Sequence, residues 1–178
     1  MRTLLIVADD QTNVHQLVDR LQKFGSGFRF RLATADPRVA RSWRQKGLEV
    51  MIGDPTDLLF VAQALVDVEM WYLAVSDHVS RSWLKAALWV QAHFNRPLQR
   101  LVIAAVPFAP ALTQQLRQNG LQFTFLYEVQ SLPSGALIEI ADEQRRVARQ
   151  TMSVAEQIDL VATLLIRPVV ATTLEIAN

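Results

Sequence analysis

The chain contains no cysteine, which excludes disulfides, a thiolate nucleophile and any zinc or iron–sulfur site held by Cys. Glycine is scarce, at 6 of 178 residues, and there are only 2 tyrosines. Phosphate-binding turns draw on the first and phenolic proton transfer on the second, so few positions could serve either. A basic excess is also missing: 18 Lys and Arg against 17 Asp and Glu leave a formal net charge of +1. No electrostatic surface for nucleic acid or membrane is expected from that balance. Long apolar runs are absent near the N-terminus, where Leu4 to Val7 gives way to Asp9-Asp10. That stretch is too short for a signal h-region or a membrane span, and a cytoplasmic protein is expected.

The residues that are present are those of a folded domain. Hydrophobic residues make up 51% and charged residues 20%, a balance that buries a core and argues against disorder. A length of 178 residues corresponds to a single domain over 1–178. Leu4 to Val7 is a continuous apolar run, as in a parallel strand buried on both faces. After the polar stretch Ala8 to Thr12, the positions Val14, Leu17, Val18 and Leu21 have helical spacing, and Gly25 and Gly27 end the helix.

This unit repeats along the chain. Phe28 to Ala33 reads as a strand, Pro37 opens a helix through Trp43, and Leu48 to Ile52 is the next strand. A helix over Leu58 to Leu65, a strand over Met70 to Val75, a helix carrying Trp83 and Val90, and a strand over Leu101 to Val106 follow. Pro110 then starts a helix closed by Asn119-Gly120 before the strand Gln122 to Tyr127. The tail differs: Leu137 to Ile140 can pair with Arg146 to Gln150, Ser153 to Glu156 is a capping box opening a helix through Leu165, and Thr172 to Ile176 reads as a last strand. The fold class is α/β: a three-layer, doubly wound parallel sheet of Rossmann type with a small C-terminal β/α extension.

Three segments go further. Gly47-Leu48-Glu49-Val50-Met51-Ile52-Gly53-Asp54-Pro55-Thr56-Asp57, Leu116-Arg117-Gln118-Asn119-Gly120-Leu121-Gln122-Phe123-Thr124-Phe125-Leu126, and the segment from Arg149-Gln150-Thr151-Met152-Ser153 through Leu165 occur in that order. In composition and order they resemble the NmrA-like atypical short-chain dehydrogenases. The resemblance implies an NAD(P)-binding Rossmann fold in which Asp54 and Pro55 lie near the adenine and Ala74, Val75 and Ser76 line the site.

The sequence departs from that family at its phosphate loop. Asp9, Asp10, Thr12 and Asn13 stand where the family's glycine-rich turn brings backbone N–H groups against the pyrophosphate. Two carboxylates there oppose an anion by a few kcal/mol, about a thousandfold in affinity, and the helix terminus, at roughly half a charge, does not offset them. These residues serve equally as caps of the first helix. The position of the Arg that meets a 2′-phosphate falls on Ala35, with Arg31 and Arg38 near enough to substitute. NAD(P) is therefore a doubtful cofactor.

A catalytic set is missing too. A reductase Tyr works with a Lys four residues on, which lowers its pKa, whereas Tyr72 and Tyr127 are followed at that distance by Ser76 and Ser131. Tyr127-Glu128-Val129 replaces the family's Arg-Pro-Gly, and with a short segment between Val106 and Leu112 a substrate pocket is expected to have little wall. His15, His78 and His93 lack the i, i+4 spacing of a metal pair. In Ser76-Asp77-His78, Ser76 or Asp77 reads as a helix cap rather than part of a triad. Trp83 and Trp89, six apart on one helix, cannot share a face, so one is expected to be exposed or to meet a second copy in a homodimer.

Three functions follow. The first is a non-catalytic regulatory or interaction module with weak or lost dinucleotide binding. The second is an NAD(P)H-dependent oxidoreductase acting on a quinone, flavin or carbonyl acceptor. The third is a receiver-like domain, since Leu5 to Asn13 resembles a receiver's acidic opening and Asp54 ends a third strand. The substrate is left open in all three.

Overall fold

The computed structural model of the chain describes residues 2–8, 11–24, 27–74, 77–94, 98–104, 110–142 and 147–166. The first half runs β1 (Arg2–Ala8), α1 (Gln11–Lys23), β2 (Phe28–Thr34), α2 (Pro37–Gln45), β3 (Glu49–Ile52), α3 (Leu58–Ala64) and β4 (Val68–Ala74). The second runs α4 (Asp77–Phe94), β5 (Arg100–Ala104), α5 (Pro110–Gln118), β6 (Gln122–Leu132), β7 (Gly135–Asp142), β8 (Val147–Met152) and α6 (Val154–Ile166). The strands form one sheet in the order β3-β2-β1-β4-β5-β6-β7-β8. The first six are parallel and the last two antiparallel. From β1 the chain steps outward to β3, then crosses back to β4, so the winding reverses between β1 and β4. Open α/β sheets hold ligands at the strand C-termini beside such a reversal.

Burial explains the apolar run of β1. Leu4, Leu5, Ile6 and Val7 are each at most 2% exposed, because successive side chains enter two different cores. Leu4 and Ile6 pack with Leu17 and Leu21 of α1, Trp43 of α2 and Ile158 and Leu165 of α6. Leu5 and Val7 pack with Phe60 of α3, Trp83 and Val90 of α4 and Leu116 of α5. Helices therefore cover both faces, as the alternation of elements predicts.

Local signals are in place. Pro37 and Pro110 stand at the first positions of their helices. At α6 the Ser153 N–H donates to Glu156 Oε2 over 2.7 Å and the Glu156 N–H to Ser153 Oγ over 3.4 Å, the reciprocal capping box. Trp83 is buried and Trp89 is exposed, as their spacing demands. The pairing of the tail is also found, with Glu139 opposite Arg149 across β7 and β8.

One element is longer than its pattern. β6 continues past Tyr127 to Leu132 and pairs with β7 through a turn at Pro133-Ser134. Glu128, Val129, Gln130 and Ser131 are all exposed, so this stretch lacks the alternation with buried apolar residues that marks a strand. Gly135 opens β7 with φ +153, and a Cβ there would collide with the Met152 carbonyl. The strand expected at Thr172 to Ile176 lies outside the described residues.

Arg31 is placed differently from its expectation as a phosphate partner. Its guanidinium is buried and donates to the Ala64 carbonyl over 2.9 Å, to the Val66 carbonyl over 2.7 Å and to Glu49 Oε1 over 2.8 Å. The two carbonyls end α3, at the opposite edge of the sheet from the strand C-termini. Arg31 ties α3 to β2 and β3, and the planar fork suits three acceptors at once. We expect Arg31→Met to lower the unfolding free energy in urea by about 2–3 kcal/mol, since buried acceptors are left unpaired. Arg31→Lys should lose less; a loss under about 0.5 kcal/mol for Arg31→Met, the level of an ordinary surface change, would remove this role.

Candidate functional site

β4 and β5 end in the small residues Ala74 and Ala104, and above them the sheet face toward α1 and α6 opens into a cleft of about 380 Å³. That size is within the range of small-molecule sites. Tyr72, Ala74, Ala104 and Leu126 line it from the sheet, Asn13 and Leu17 from α1, and Gln157, Ile158 and Val161 from α6. Tyr127, Glu128 and Met152 complete the lining. Gln157 is anchored by donating from Nε2 to the Met152 carbonyl over 3.3 Å. Among the described lining residues Glu128 carries the only charge; it is exposed and its Oε1 accepts from the Ser131 hydroxyl.

Of the residues expected from the sequence to bind a cofactor, the structure brings Asn13 and Ala74 together in this cleft. Thr12 lies in the first turn of α1. Asp9, Asp10, Val75 and Ser76 lie outside the described residues; of the two residues expected to cap the fourth helix, Ser76 is among these and Asp77 is the first residue of α4. Arg38, in the first turn of α2, is exposed and pairs with Asp36 at 3.2 Å. Asp36 caps that helix by accepting from the Arg38 N–H over 2.8 Å. The hydrogen bond from the Arg38 side chain, with that from its backbone, holds the Asp36 carboxyl below its ordinary value and raises Arg38. Asp54 accepts from the N–H and the hydroxyl of Thr56, each over 2.7 Å, and these bonds, the backbone one first, lower its pKa. Pro55 follows in the same turn.

Asp54 follows an edge strand, with β2 lying between β3 and β1. A receiver needs the phosphoacceptor strand beside the strand that carries the acidic pair, so the topology overturns that reading. Two histidines are also accounted for by packing. His15 stacks on Trp43 with ring centroids 4.0 Å apart and has Lys46 Nζ 2.7 Å from Nδ1; burial first, then Lys46, lowers its pKa. His93 stacks on Trp89 at 4.1 Å.

The residues present do not fit the diphosphate of a dinucleotide. β1 ends at Ala8 and α1 starts at Gln11, the two residues between are both Asp, and no glycine occurs from Ala8 to Phe24. The Asp36 carboxylate offsets the Arg38 charge. Gly53, the glycine that precedes Asp54 in the adenine segment, lacks a Cβ for another reason: the Phe60 ring occupies that space.

Sequence reasoning missed the cleft itself. Tyr72 and Tyr127 fail as members of a Tyr–Lys pair, yet both line the cleft, together with Glu128 from the segment that replaces Arg-Pro-Gly. The period-two pattern Met70, Tyr72, Ala74 could have placed Tyr72 on the same face as Ile6. The expected lack of a wall is corrected: Ile138 of β7, Met152 of β8 and the side of α6 supply it.

No family model and no curated protein sequence matches the chain. Solved structures do. A Rossmann-fold NAD(P)-binding family protein from Shigella flexneri superposes with a TM-score of 0.65 at 11% identity, covering 94% of this chain and 88% of that one. ChuY, an anaerobillin reductase from Escherichia coli O157:H7, gives 0.62 at 13% identity over 93% and 91%. The NADPH-dependent quinone oxidoreductase QOR2 from Escherichia coli, complexed with NADPH, gives 0.62 at 13% identity over 92% of this chain and 65% of its own. At such identities the likeness establishes the fold: a Rossmann-like parallel core with antiparallel C-terminal strands.

Packing and nucleotide roles for Gly53 are separable by mutation. We expect Gly53→Ala to destabilise by about 1–3 kcal/mol through overpacking against Phe60. Combined with Phe60→Leu, it should cost less than the sum of the two single changes. Strict additivity in urea denaturation would deny the contact its importance.

Proposed function

We propose that this chain is a small-molecule-binding module built on a Rossmann-type fold, regulatory rather than catalytic, with dinucleotide binding weakened or lost. The observation that carries this reading is the contrast along one sheet edge. The cleft at the ends of β4 and β5 and beside the middle of β6 is walled and largely apolar, while the connection from β1 into α1 has two acids and no glycine. A thermal-shift titration with NAD+, NADH, NADP+ and NADPH tests it. A ligand at a hundredfold excess over its Kd stabilises by about 2.7 kcal/mol, which in a domain of this size raises Tm by roughly 5–10 °C. We expect all four dinucleotides to fall well short of that.

A second reading is an NAD(P)H-dependent oxidoreductase for a quinone, flavin or carbonyl acceptor. It is favoured by QOR2, which is an NADPH-dependent quinone oxidoreductase, and by the exposed Arg38 at the start of α2. NADPH binding at micromolar concentration with acceptor-dependent oxidation would establish it in place of the first.

We also propose that the outer face of α4 pairs two copies. Trp89 and Phe94 are exposed there, in edge-to-face contact at 6.0 Å, near the exposed Leu58 of α3. A two-fold arrangement covers the same patch on both copies. Sedimentation should show a dimer that Trp89→Glu converts to monomer; a wild-type monomer at high concentration would exclude it.

A further inference from the structure

We infer that the cleft takes an organic cation: a flat apolar body over Tyr72 and Leu126, with a cationic nitrogen against the Glu128 carboxylate. The inference rests on the proposal that the cleft is a ligand site, and it specifies the charge of the ligand. Glu128 is the only charged side chain among the described lining residues. It stands where β6 bulges, between Glu128 and Gln130, and a bulge re-aims the side chains beside it. The Ser131 hydroxyl donates to its Oε1, which fixes the carboxylate without adding a charge.

The neighbouring cation does not cancel it. Arg149 pairs with Glu139 at 3.0 Å, and Glu139 alternates with Ile138 and Ile140, whose side chains enter the core on the cleft side. That ion pair is therefore on the opposite face of the sheet. The Tyr72 ring lines the cleft from the sheet, and an aromatic face attracts cations rather than anions. An anionic ligand would meet Glu128 with no guanidinium or ammonium among the described lining residues to compensate; a cation gains a partner that is already exposed and needs little desolvation.

Three planar probes of one shape separate the alternatives by calorimetry at mildly alkaline pH: 9-aminoacridine as the cation, acridine as the neutral ring and acridine-9-carboxylate as the anion. The cation should bind about fivefold more tightly than the neutral ring, the scale of an exposed ion pair, and the anion least. Glu128→Gln should remove the advantage of the cation and leave acridine unchanged. Ala104→Phe, which fills the cleft, should abolish binding of all three while the Tm is retained; Ala74→Leu serves if that variant does not fold. If the three bind equally, or Glu128→Gln leaves their ratio unaltered, the charge assignment fails and the cleft reading stands. If none binds, or binding survives a filled cleft, both fail.

Discussion

The double burial of β1 is the constraint from which the rest of the molecule follows. Its side chains enter two separate cores in alternation, Leu4 and Ile6 with α1 and α6, Leu5 and Val7 with α3 and α4. Neither helical layer can shift without exposing apolar surface on this strand, at about 25 cal/mol per Å². Both layers are thereby fixed relative to the end of β1, and that end borders the cleft. The positions of Asn13 and Tyr72 are set by the core: Tyr72 is the register partner of Ile6 on β4, and Asn13 lies one turn before Leu17 on α1.

At the same edge, helix N-termini compete with any anionic ligand for their own amides. A bound phosphate would use the free N–H groups of a first turn. Here Asp36 takes one at α2 and Asp57 one at α3, accepting from the Leu59 N–H over 2.9 Å. Each carboxylate also offsets the partial positive charge of the terminus it caps. Capping and anion recognition draw on one set of donors, and in these helices capping has taken part of that set. Asp54, engaged by Thr56, is likewise satisfied within its own turn. Among the described residues, the carboxylates that follow β2 and β3 are thus engaged within their own turns, and the edge opens into the cleft where β4 and β5 end in alanine.

The framework was legible because its signals are local. Pro37, Pro110, the Ser153–Glu156 box and the uninterrupted apolar run of β1 each act within a few residues, and their physics requires no tertiary information. The parts that were not legible depend on contacts far apart in sequence. Arg31 resembles any surface arginine until the carbonyls of Ala64 and Val66 are brought to it. Gly53 matches a cofactor motif until Phe60 is seen against it. The far half of β6 is polar because it belongs to a ribbon that extends beyond the covering helices. The cleft draws on α1, α6 and five strands, and no window of sequence contains more than a fraction of it.

The C-terminal extension links these strands of the argument. β7, β8 and α6 bury Ile138, Ile140, Met152, Ile158 and Leu165 in the core that β1 and α1 share, so the segment that walls the cleft also stabilises the domain. α6 is tied to α1 by Arg20 and Asp159 at 2.7 Å, and the close approach of Gly135 to the Met152 carbonyl fixes the hairpin against the strand that leads into α6. A site framed by packed helices and strands is largely formed before a ligand arrives, and less ordering entropy opposes binding. The shape of the cleft is therefore coupled to the fold through α6: a substitution that loosens α6 from α1 should enlarge the cleft and weaken the domain together.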